Sequence, residues 1–509
     1  MGRFKRFFWF IPAFLLMSQF NPQSSRITDK FFPDKQDLPA VTPALQKEKG
    51  FTNYNELIAY LTTLCQKYPE QISMRYIGET KKGLAIPLVA LKTKSVGPKI
   101  KVWMQGGLHG DEPASTEALL YLLYDLLHNP AHADLLDKIE LAILPMANID
   151  GFLKQERNNA EDLDLNRDQT KLMATESVLF KHAFSAFKPQ IALDFHEYRP
   201  YRRDFVKLST YGVTSAYDVM FLYSGNLNVP ANLRQFTQQV FIAPTRVLLD
   251  QHQLTHHDYV STDTYQGEIQ FNQGSNNARS SATNFALQNT IATLVEVRGV
   301  GIGRTSFKRR IFTGYLIAKS YLDIAVAQAS AVNEILVQAN QNDTQITVTS
   351  NKNIYVDKLD FIDLEKTERI QLDVTLRDAW KSSPKLTREK PVAYIIEAGQ
   401  AELIAKIEAY GITVQRFKET KTVEVEQFTV DNYQRSAEKY EKMFLQEVST
   451  TKQSVRKTFE AGTFYLPVSQ SSSNILFELL EPEAPNSFVS FGVLSTQTGK
   501  ILPIYRLIP

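Results

Sequence analysis

Cysteine is nearly absent from this chain of 509 residues, which contains only Cys65. A single cysteine cannot form an intramolecular disulfide, so stability has to come from hydrophobic cores. Cys65 occupies an apolar position of an amphipathic helix predicted at residues 55–67, which is typical of a small buried side chain rather than a catalytic thiol. The chain is too long for one ordinary core, and its length favours about two folded domains.

An excess of charge of either sign is also lacking. The chain has 57 Lys and Arg against 55 Asp and Glu, which gives a net charge of +2. No basic stripe is visible, and nucleic-acid binding depends on clustered positive charge. The sequence therefore gives no support to a nucleic-acid partner.

Long hydrophobic runs are lacking apart from one near the N-terminus. Arg3, Lys5 and Arg6 precede an apolar run at residues 7–17, and polar residues follow it. This order is typical of a signal peptide for export, and the run is too short for a comfortable membrane span. We therefore predict an exported protein, periplasmic or secreted, with a signal at residues 1–20. Contact with a membrane is expected only if this signal stays uncleaved.

Apolar strand-like runs alternate with helical patterns over residues 45–338, which we interpret as the catalytic domain. This alternation predicts an α/β fold with a mixed, largely parallel sheet flanked by helices. Candidate chemical residues follow the carboxyl ends of the predicted strands, where open α/β sheets bind ligands. The main runs are strands at residues 100–104, 139–146, 191–195 and 292–297 and helices at residues 114–127 and 175–187.

The pattern changes after residue 338. Alternating runs at residues 345–350, 370–376 and 423–430, with further strand-like runs that include residues 488–494, predict a smaller β-rich α+β accessory domain at residues 339–509. This part contains no histidine, which argues against a second metal site. Residues 21–44 lack periodicity and are rich in turn-forming and charged residues, so we interpret them as an N-terminal arm.

Histidine is scarce, with eight residues in the chain. His109 lies in the motif GGLHGDEP on a turn between a predicted strand and a predicted helix, and Glu112 follows it three residues later. His196 ends a predicted core strand. Two imidazoles, a carboxylate and an open position make a hydrolytic zinc site, so these three residues are the predicted metal ligands. The alternative for each histidine is a hydrogen bond to the backbone.

Glu296 is a lone carboxylate inside an otherwise apolar predicted strand. Burial of a carboxylate is costly unless the group is paired or used. Glu296 is therefore the candidate for the general base that a hydrolytic metal site requires. The structural alternative is an ion pair with Arg298, which lies two residues along the strand and so on the same face.

A polar loop at residues 158–168 contains candidates for substrate binding. It places Asn166 beside Arg167, and Arg157 precedes Asn166 by nine residues. The fork of a guanidinium matches a carboxylate, and a second arginine near a polarised carbonyl can stabilise an oxyanion. Taken alone, this loop is more typical of a solvated charged surface than of a binding site.

The motifs of this chain, in the order in which they occur, resemble those of zinc metallocarboxypeptidases of the carboxypeptidase A type. The resemblance covers residues 50–320. Two stretches resemble a bacterial branch of that family. They are F-H-E-Y around His196 and E-x-R-G-x-G-x-G-R, which begins at Glu296. The C-terminal extension of this branch is similar to stretches at residues 462–467, 480–482 and 487–488. The full set comprises H-x-x-E from His109, N-x-D-G from Asn148, D-L-N-R from Asp164, His196 and Glu296.

The resemblance implies a carboxypeptidase-like fold and a zinc-dependent metallocarboxypeptidase, a hydrolase that cleaves the C-terminal peptide bond by means of a metal-activated water. It implies one Zn²⁺ ion bound by His109, Glu112 and His196. It also implies that Glu296 activates the water and passes a proton to the leaving amine.

The resemblance assigns the substrate side as well. Asn166 and Arg167 would bind the free C-terminal carboxylate of a peptide, and Arg157 would polarise the scissile carbonyl. Asp164 would orient His109 through its distal ring nitrogen. Arg279 is a further candidate for substrate binding, with a surface role as the alternative.

One departure from the family concerns tyrosine. The family usually places a mobile substrate-binding tyrosine shortly before the base, but no tyrosine lies between Tyr265 and Glu296. Tyr259 and Tyr265 are the candidates to replace it. The side-chain preference for the released residue therefore stays open.

Two other interpretations stay open. An N-acyl amino-acid deacylase or a peptidoglycan peptide hydrolase could use the same zinc site, although Arg157 and the pair Asn166–Arg167 favour recognition of a peptide carboxylate. A non-catalytic peptide-binding protein is the other alternative. The presence of all three candidate ligands and of Glu296 argues against it.

Overall fold

The computed structural model describes residues 24–339 and 344–508. The predicted signal at residues 1–20 lies outside the described residues. Within the described ranges, no helix combines the length and the apolar character that a membrane span needs.

The helices fall mainly in the first two thirds of the chain. Helices α7 and α8 are continuous through a π-helical segment at Thr237–Ile242. The helices are α1 (Ser25–Phe31), α2 (Tyr54–Lys67), α3 (Pro113–His128), α4 (Ala133–Leu136), α5 (Ile149–Phe152), α6 (Thr175–Phe187), α7 (Ala231–Phe236), α8 (Ala243–Gln251), α9 (Ser281–Leu287), α10 (Phe307–Ala327), α11 (Ala329–Gln338), α12 (Ala401–Glu408) and α13 (Asn474–Leu480).

The strands form three sheets. They are β1 (Ile72–Glu79), β2 (Ala85–Leu91), β3 (Ile100–Gly106), β4 (Ile139–Leu144), β5 (Ile191–Tyr198), β6 (Val213–Ser215), β7 (Val219–Leu222), β8 (His256–Asp258), β9 (Val260–Tyr265), β10 (Glu268–Gln273), β11 (Ile291–Arg298), β12 (Gln345–Asp363), β13 (Glu368–Glu389), β14 (Ala393–Ile396), β15 (Gln415–Arg416), β16 (Lys421–Tyr440), β17 (Met443–Phe459), β18 (Phe464–Pro467) and β19 (Ile501–Leu507).

The first sheet has eight strands in the order β1-β2-β4-β3-β5-β11-β7-β8. Its four central strands, β4, β3, β5 and β11, are parallel to one another. These strands are almost continuously buried, as expected for parallel strands that are covered on both faces. The predicted fold class, a mixed and largely parallel sheet flanked by helices, is confirmed.

The two faces of this sheet carry different helices. Phe195 on β5 lies against α10 near Gly314, whereas Asp194 bonds Ser281 of α9. Because neighbouring residues of a strand point to opposite faces, α9 and α10 cover opposite sides of the sheet. Asp194 and His196 therefore face the α9 side together.

The second sheet, β6-β12-β13-β10-β9, crosses the predicted domain boundary at residue 338. The hairpin β12–β13 comes from the region that we predicted as accessory, yet β12 pairs with β6 and β13 pairs with β10. The division at residues 338 and 339 stays a prediction. The described chain joins the two parts through this shared sheet.

The third sheet contains six antiparallel strands in the order β15-β18-β14-β19-β16-β17. Together with α12 and α13 it makes the C-terminal region β-rich with some helix, as predicted. The strand predicted at residues 488–494 is wrong, because these residues form turns. Phe488, Val489 and Phe491 are buried in the turns, so their apolar pattern reflects packing rather than a strand.

The predicted N-terminal arm packs against the body of the protein where it is described. Phe32 is buried beneath the guanidinium of Arg298, at 3.9 Å from the ring centroid. The hydroxyl of Thr42 donates to the buried carboxyl of Glu117 on α3, to which Thr52, beyond the end of the arm, also donates. The arm therefore contributes to the core next to the strand that carries Glu296.

Glu478 of α13 is a buried acid that joins the C-terminal region to the catalytic part. The side-chain amides of Asn226 and Asn228 each donate to Glu478 Oε1 at 2.8 Å. Burial raises the pKa of Glu478 to about 7, against the opposing effect of the two amides. The folded protein therefore holds this proton at pH values at which an unfolded chain has lost it.

We predict that Glu478→Gln stabilises the protein at pH 8 and hardly at pH 4.5. Because the pKa is raised on folding, the parent loses stability as the pH rises from the ordinary glutamate pKa to about 7, and a neutral amide avoids this loss. The gain at pH 8 should be about 1–3 kcal/mol in the free energy of unfolding, measured by urea denaturation. Glu424→Gln, at an exposed position, is the matched control. An equal effect of Glu478→Gln at both pH values would contradict this account.

Candidate metal centre

Three parallel strands bring the predicted site together at their carboxyl ends. His196 on β5 is paired with Glu296 on β11, and Gly106 at the end of β3 is paired with Phe195. The turn after β3 carries His109 and leads into α3 at Pro113. Adjacent parallel strands end at one edge of the sheet, so residues far apart in sequence meet there.

Close backbone approach explains the glycines of the turn after β3. A Cβ atom on Gly110 would lie 2.1 Å from the carbonyl carbon of Gly151, and Gly151 itself is crowded by the Asn148 side chain. Asn148 caps α5 by accepting from Gly151 N–H at 3.0 Å. The two motifs GGLHGDEP and N-x-D-G therefore pack directly on each other.

His109, Glu112 and His196 converge as predicted. His109 Nδ1 lies 2.7 Å from Glu112 Oε1, His196 Nδ1 lies 2.8 Å from Glu112 Oε2, and the two Nδ1 atoms are 3.0 Å apart. All three residues are buried. They are a group whose ligand atoms lie within 4.8 Å of one another, as a metal ion requires.

The outer nitrogens of both imidazoles face aspartates. His109 Nε2 lies 3.1 Å from Asp164 Oδ1, and His196 Nε2 lies 2.8 Å from Asp194 Oδ2. When each Nε2–H donates a hydrogen bond to its aspartate, each Nδ1 presents a lone pair toward Glu112. Two nitrogen lone pairs and a carboxylate that point at one another repel each other unless a cation lies between them. This donor set of two nitrogens and one oxygen fits zinc.

The electrostatics keep the ligand carboxylate ionised. Burial acts to raise the pKa of Glu112, but the neighbouring His109 and His196 outweigh it and hold the pKa below its usual range. Backbone N–H of Glu197 also donates to Glu112 Oε2 at 3.1 Å. Glu112 is therefore available as an anionic ligand.

Glu296 lines the same cavity as His109 and Glu112. Its Oε2 atom is buried and accepts no hydrogen bond from the part of the chain that the structure describes. Burial raises the pKa of Glu296 to about 7, with partial compensation by His196. An unpaired carboxylate with a pKa near neutrality has the properties of a general base.

The alternative partner of Glu296, Arg298, is engaged elsewhere. Its guanidinium donates to the carbonyl of Ser215 at 2.5 Å and to the hydroxyl of Thr214 at 3.0 Å, and it covers the ring of Phe32. These contacts tie β11 to β6 and to the N-terminal arm. The interpretation of Glu296 as one half of a structural ion pair with Arg298 loses its support.

Asp164 is the centre of the polar loop. Its carboxylate accepts from Arg157 Nε at 2.9 Å and from Asn166 N–H at 2.9 Å, in addition to its contact with His109. Burial opposes ionisation, but His109, Arg157 and Arg167 hold the pKa of Asp164 well below its usual range. Arg157 Nη1 also lies 3.7 Å from Glu112 Oε1, which brings this guanidinium to the edge of the metal centre.

A cavity of about 650 Å³ opens beside His109 and Glu112, and the predicted substrate-side residues line it. The C-terminal region contributes Lys352, Leu359 and Phe361 of β12 to its wall. Tyr259 and Tyr265, the candidates for the tyrosine that the family pattern expects, both line it as well. The predicted residues at the cavity surface are Arg157, Asn166, Arg167, Arg279 and Glu296.

Two parts of the site were missed at the sequence level. Asp194 orients His196, and its position two residues before His196 on the same strand face was a usable signal. Tyr440 and Glu441, at the tip of the hairpin β16–β17, contact Arg279 and Arg167. No local signal marks these two residues, because their partners lie more than a hundred positions away.

Comparison with known proteins bears on the class of this site. The family described as zinc carboxypeptidase matches residues 57–196. Carboxypeptidase 2 of Trichophyton rubrum is 29% identical over 425 residues, which cover 80% of this chain and 77% of that protein. Carboxypeptidase 2 of Trichophyton equinum is 28% identical over 418 residues, with the same coverage. These similarities support the zinc carboxypeptidase family and, with it, a hydrolase of peptide bonds.

Among solved structures, a metallo-carboxypeptidase from Burkholderia cenocepacia aligns with a TM-score of 0.43 and 18% identity over 55% of this chain and 70% of that chain. An alignment with this TM-score and identity is too weak to indicate a shared function. The two Trichophyton relatives are fungal, so the predicted bacterial branch is not confirmed. The use of zinc by this chain is an inference from the family and from the donor set.

We predict that Asp194→Asn and Asp164→Asn each weaken zinc binding by about 10–100-fold, because each removes the carboxylate that orients a ligand imidazole. Competition with a chromophoric chelator measures the dissociation constant directly. Asp134→Asn, at an exposed position, should leave it unchanged. Parent-like affinity in both site variants would show that these aspartates do not orient metal ligands.

Proposed function

We propose that this protein is an exported zinc metallocarboxypeptidase that hydrolyses the C-terminal bond of peptides with a free carboxylate. The observation that carries the proposal is one cavity that is lined by the metal-ligand candidates His109 and Glu112, by Glu296 and by the guanidiniums of the loop around Asp164. The third candidate ligand, His196, lies against the first two. A metal site alone would fit many hydrolases. Its combination with a buried base and with carboxylate-binding groups fits a carboxypeptidase.

The roles of the residues follow from their positions. His109, Glu112 and His196 would hold one zinc ion, which supplies Lewis acidity that polarises a carbonyl and makes water easier to deprotonate. Glu296 takes a proton from the attacking water and delivers it to the nitrogen of the leaving amine. The water oxygen ends on the carbonyl carbon as the C–N bond breaks.

Arginines interact with two groups of the substrate, which are the carbonyl oxygen that becomes negatively charged during hydrolysis and the terminal carboxylate. Arg157 lies beside Glu112, from where its guanidinium can stabilise the negative charge that develops on the carbonyl oxygen. Asn166 and Arg167 bind the terminal carboxylate, which a guanidinium recognises by charge-assisted hydrogen bonds. Asn166 Oδ1 accepts from Ser281 N–H at 2.8 Å, so its amide nitrogen is directed away from α9.

Export and the bacterial branch rest on the sequence motifs. The replacement of the family's tyrosine by Tyr259 or Tyr265 is supported by the position of both residues in the cavity wall. An N-acyl amino-acid deacylase or a peptidoglycan peptide hydrolase would use the same triad. These enzymes differ from a carboxypeptidase in the bond they cleave, so the masses of the products distinguish them. A non-catalytic peptide-binding protein would bind peptides and release no product.

We predict that Glu296→Gln retains zinc and lowers the hydrolysis rate by about a thousandfold or more, because one group serves as base and as proton donor to the leaving amine. Bound zinc is measured by elemental analysis, and the rate is measured by release of the terminal amino acid. In the parent, chelation should abolish the rate and added zinc should restore it. Glu268→Gln, exposed at the start of β10, is the control. Full activity of Glu296→Gln would refute its assignment as the base.

A further inference from the structure

The hairpin β16–β17 extends far beyond its own sheet. Strand β16 pairs with β19 between Glu426 and Thr429, and from there to Tyr440 its one strand partner within the described ranges is β17. At about 3.3 Å per residue, this extension can reach about 35 Å from the sheet. Its tip therefore reaches a different part of the molecule, which is the polar loop around Asp164.

The tip is a two-residue turn with an unusual composition. Tyr440 pairs with Met443, and the two residues between them, Glu441 and Lys442, have φ values of 47° and 63°. A hairpin turn with two positive φ angles normally contains Asn-Gly or Asp-Gly. Glutamate and lysine rarely adopt this conformation, so their presence suggests that the contacts of the tip hold them there.

Glu441 is bound by the polar loop. Its Oε2 accepts from the backbone N–H of Asp164 at 3.0 Å, and its Oε1 accepts from Arg167 Nη1 at 3.3 Å. Its side chain is only 10% exposed. Lys442 Nζ donates to the carbonyl of Glu161 in the same loop. The tip thus contacts the backbone and a side chain of the loop that orients His109.

Two carboxylates hold the guanidinium of Arg167 from two sides. Arg167 Nε lies 3.3 Å from Asp164 Oδ2, and Nη1 bonds Glu441. The third nitrogen, Nη2, has no hydrogen-bond partner among the described residues, and Arg167 lines the cavity. This geometry leaves one edge of the guanidinium for a ligand while it restrains the other two nitrogens.

Tyr440 links the second arginine to the same tip. Its hydroxyl accepts from Arg279 Nη1, and the guanidinium carbons of Arg279 and Arg167 lie 5.1 and 5.8 Å from its ring centroid. The aromatic face and the Glu441 carboxylate reduce the repulsion between two neighbouring cations. Both arginines can therefore stand at one end of the cavity.

The projecting hairpin is fixed where it approaches the site. Gln446 on β17 donates to the carbonyls of Val489 and Leu494 and so ties the hairpin to a buried turn. Asn486, close to that turn, accepts from the backbone N–H of Arg279. A bulge between Arg435 and Lys439 bends the last part of β16, as bulges near functional sites commonly do.

From these contacts we infer that Tyr440 and Glu441 are positioning residues of the substrate-carboxylate site, supplied by the C-terminal region. Glu441 orients Arg167 so that Nη2 faces the carboxylate of the peptide, and Tyr440 orients Arg279 toward the same group. The inference rests on the proposed function for the identity of the ligand. It predicts that the hairpin tip strengthens carboxylate binding without taking part in the chemical step.

A competing role for Glu441 has the opposite consequence. If its carboxylate occupied the place of the substrate carboxylate, its removal would free Arg167 and tighten the binding of carboxylate ligands. If it orients Arg167, its removal weakens that binding. The sign of the change therefore separates a positioning residue from an inhibitory one.

The test measures binding in zinc-loaded protein that carries Glu296→Gln, so that the peptide is not consumed. The probes are one acetylated tetrapeptide with a free C-terminal carboxylate and the same peptide as the C-terminal amide, titrated by calorimetry. Glu441→Ala should raise the dissociation constant of the free acid about tenfold and leave that of the amide within twofold. Glu441→Asp should recover part of the loss, and Tyr440→Phe should show a smaller loss than Glu441→Ala.

Glu447→Gln removes the same charge from an exposed position on β17 and serves as the control, with parent-like binding expected. Zinc affinity should be unchanged in all tip variants, which separates a local effect from a damaged fold. In the active background, Glu441→Ala should raise KM about tenfold and change kcat less than threefold.

An unchanged ratio of acid to amide binding in Glu441→Ala, or tighter binding of the acid, overturns the inference. Failure to bind either peptide in the Glu296→Gln protein also overturns it, because the site would then not recognise a carboxylate. If the free acid binds with dependence on Glu441 but the active protein releases no amino acid, the inference stands and the proposed function fails.

Discussion

The site depends on the burial of two imidazoles between a shared carboxylate and two outer aspartates. His109 and His196 have their Nδ1 atoms 3.0 Å apart at Glu112, and Asp164 and Asp194 accept from their outer nitrogens. Such a cluster is stable only if the charges are balanced, since a buried unpaired charge is costly. A divalent cation would supply the missing positive charge, and its binding would then be coupled to the stability of this part of the fold.

The parallel sheet makes this arrangement possible. Its central strands are buried on both faces and end at one edge, where His196 and Glu296 stand side by side in register. The turn after β3 can approach the α5 turn only because Gly110 and Gly151 have no side chains. Apolar packing of the strands thus holds these polar groups on rigid elements, as a preorganised site requires.

Much of the catalytic part was predictable from the sequence because its signals are local. The apolar strands, the Gly-rich turn and the spacing of His109 and Glu112 each mark a feature within a few residues. The lone Glu296 was recognisable because burial of a carboxylate in an apolar strand is costly unless the group is paired or functional. Helix α13 was missed because it is short and buried from Ile475 to Leu480, so it shows no solvated face that would reveal a helical period.

The C-terminal region was less predictable for two physical reasons. Strands β12 and β16 are much longer than the alternating runs that indicated them, because projecting hairpins are solvated on both faces and lose the alternation of a half-buried strand. The partners of this region are distant in sequence, as for Glu441 and Arg167, which are 274 residues apart. The contacts of this region with the cavity wall and with the arginines at the site therefore arise only on folding, and no local sequence pattern indicates them.

The measurement that tests the central claim most directly is the digestion of a mixed peptide library by the zinc-loaded protein, with the products identified by mass. The account predicts the loss of single C-terminal residues from peptides with free carboxylates, and no loss from the same peptides after C-terminal amidation. Internal fragments, release of an N-acyl group, or equal cleavage of the amidated peptides would contradict it.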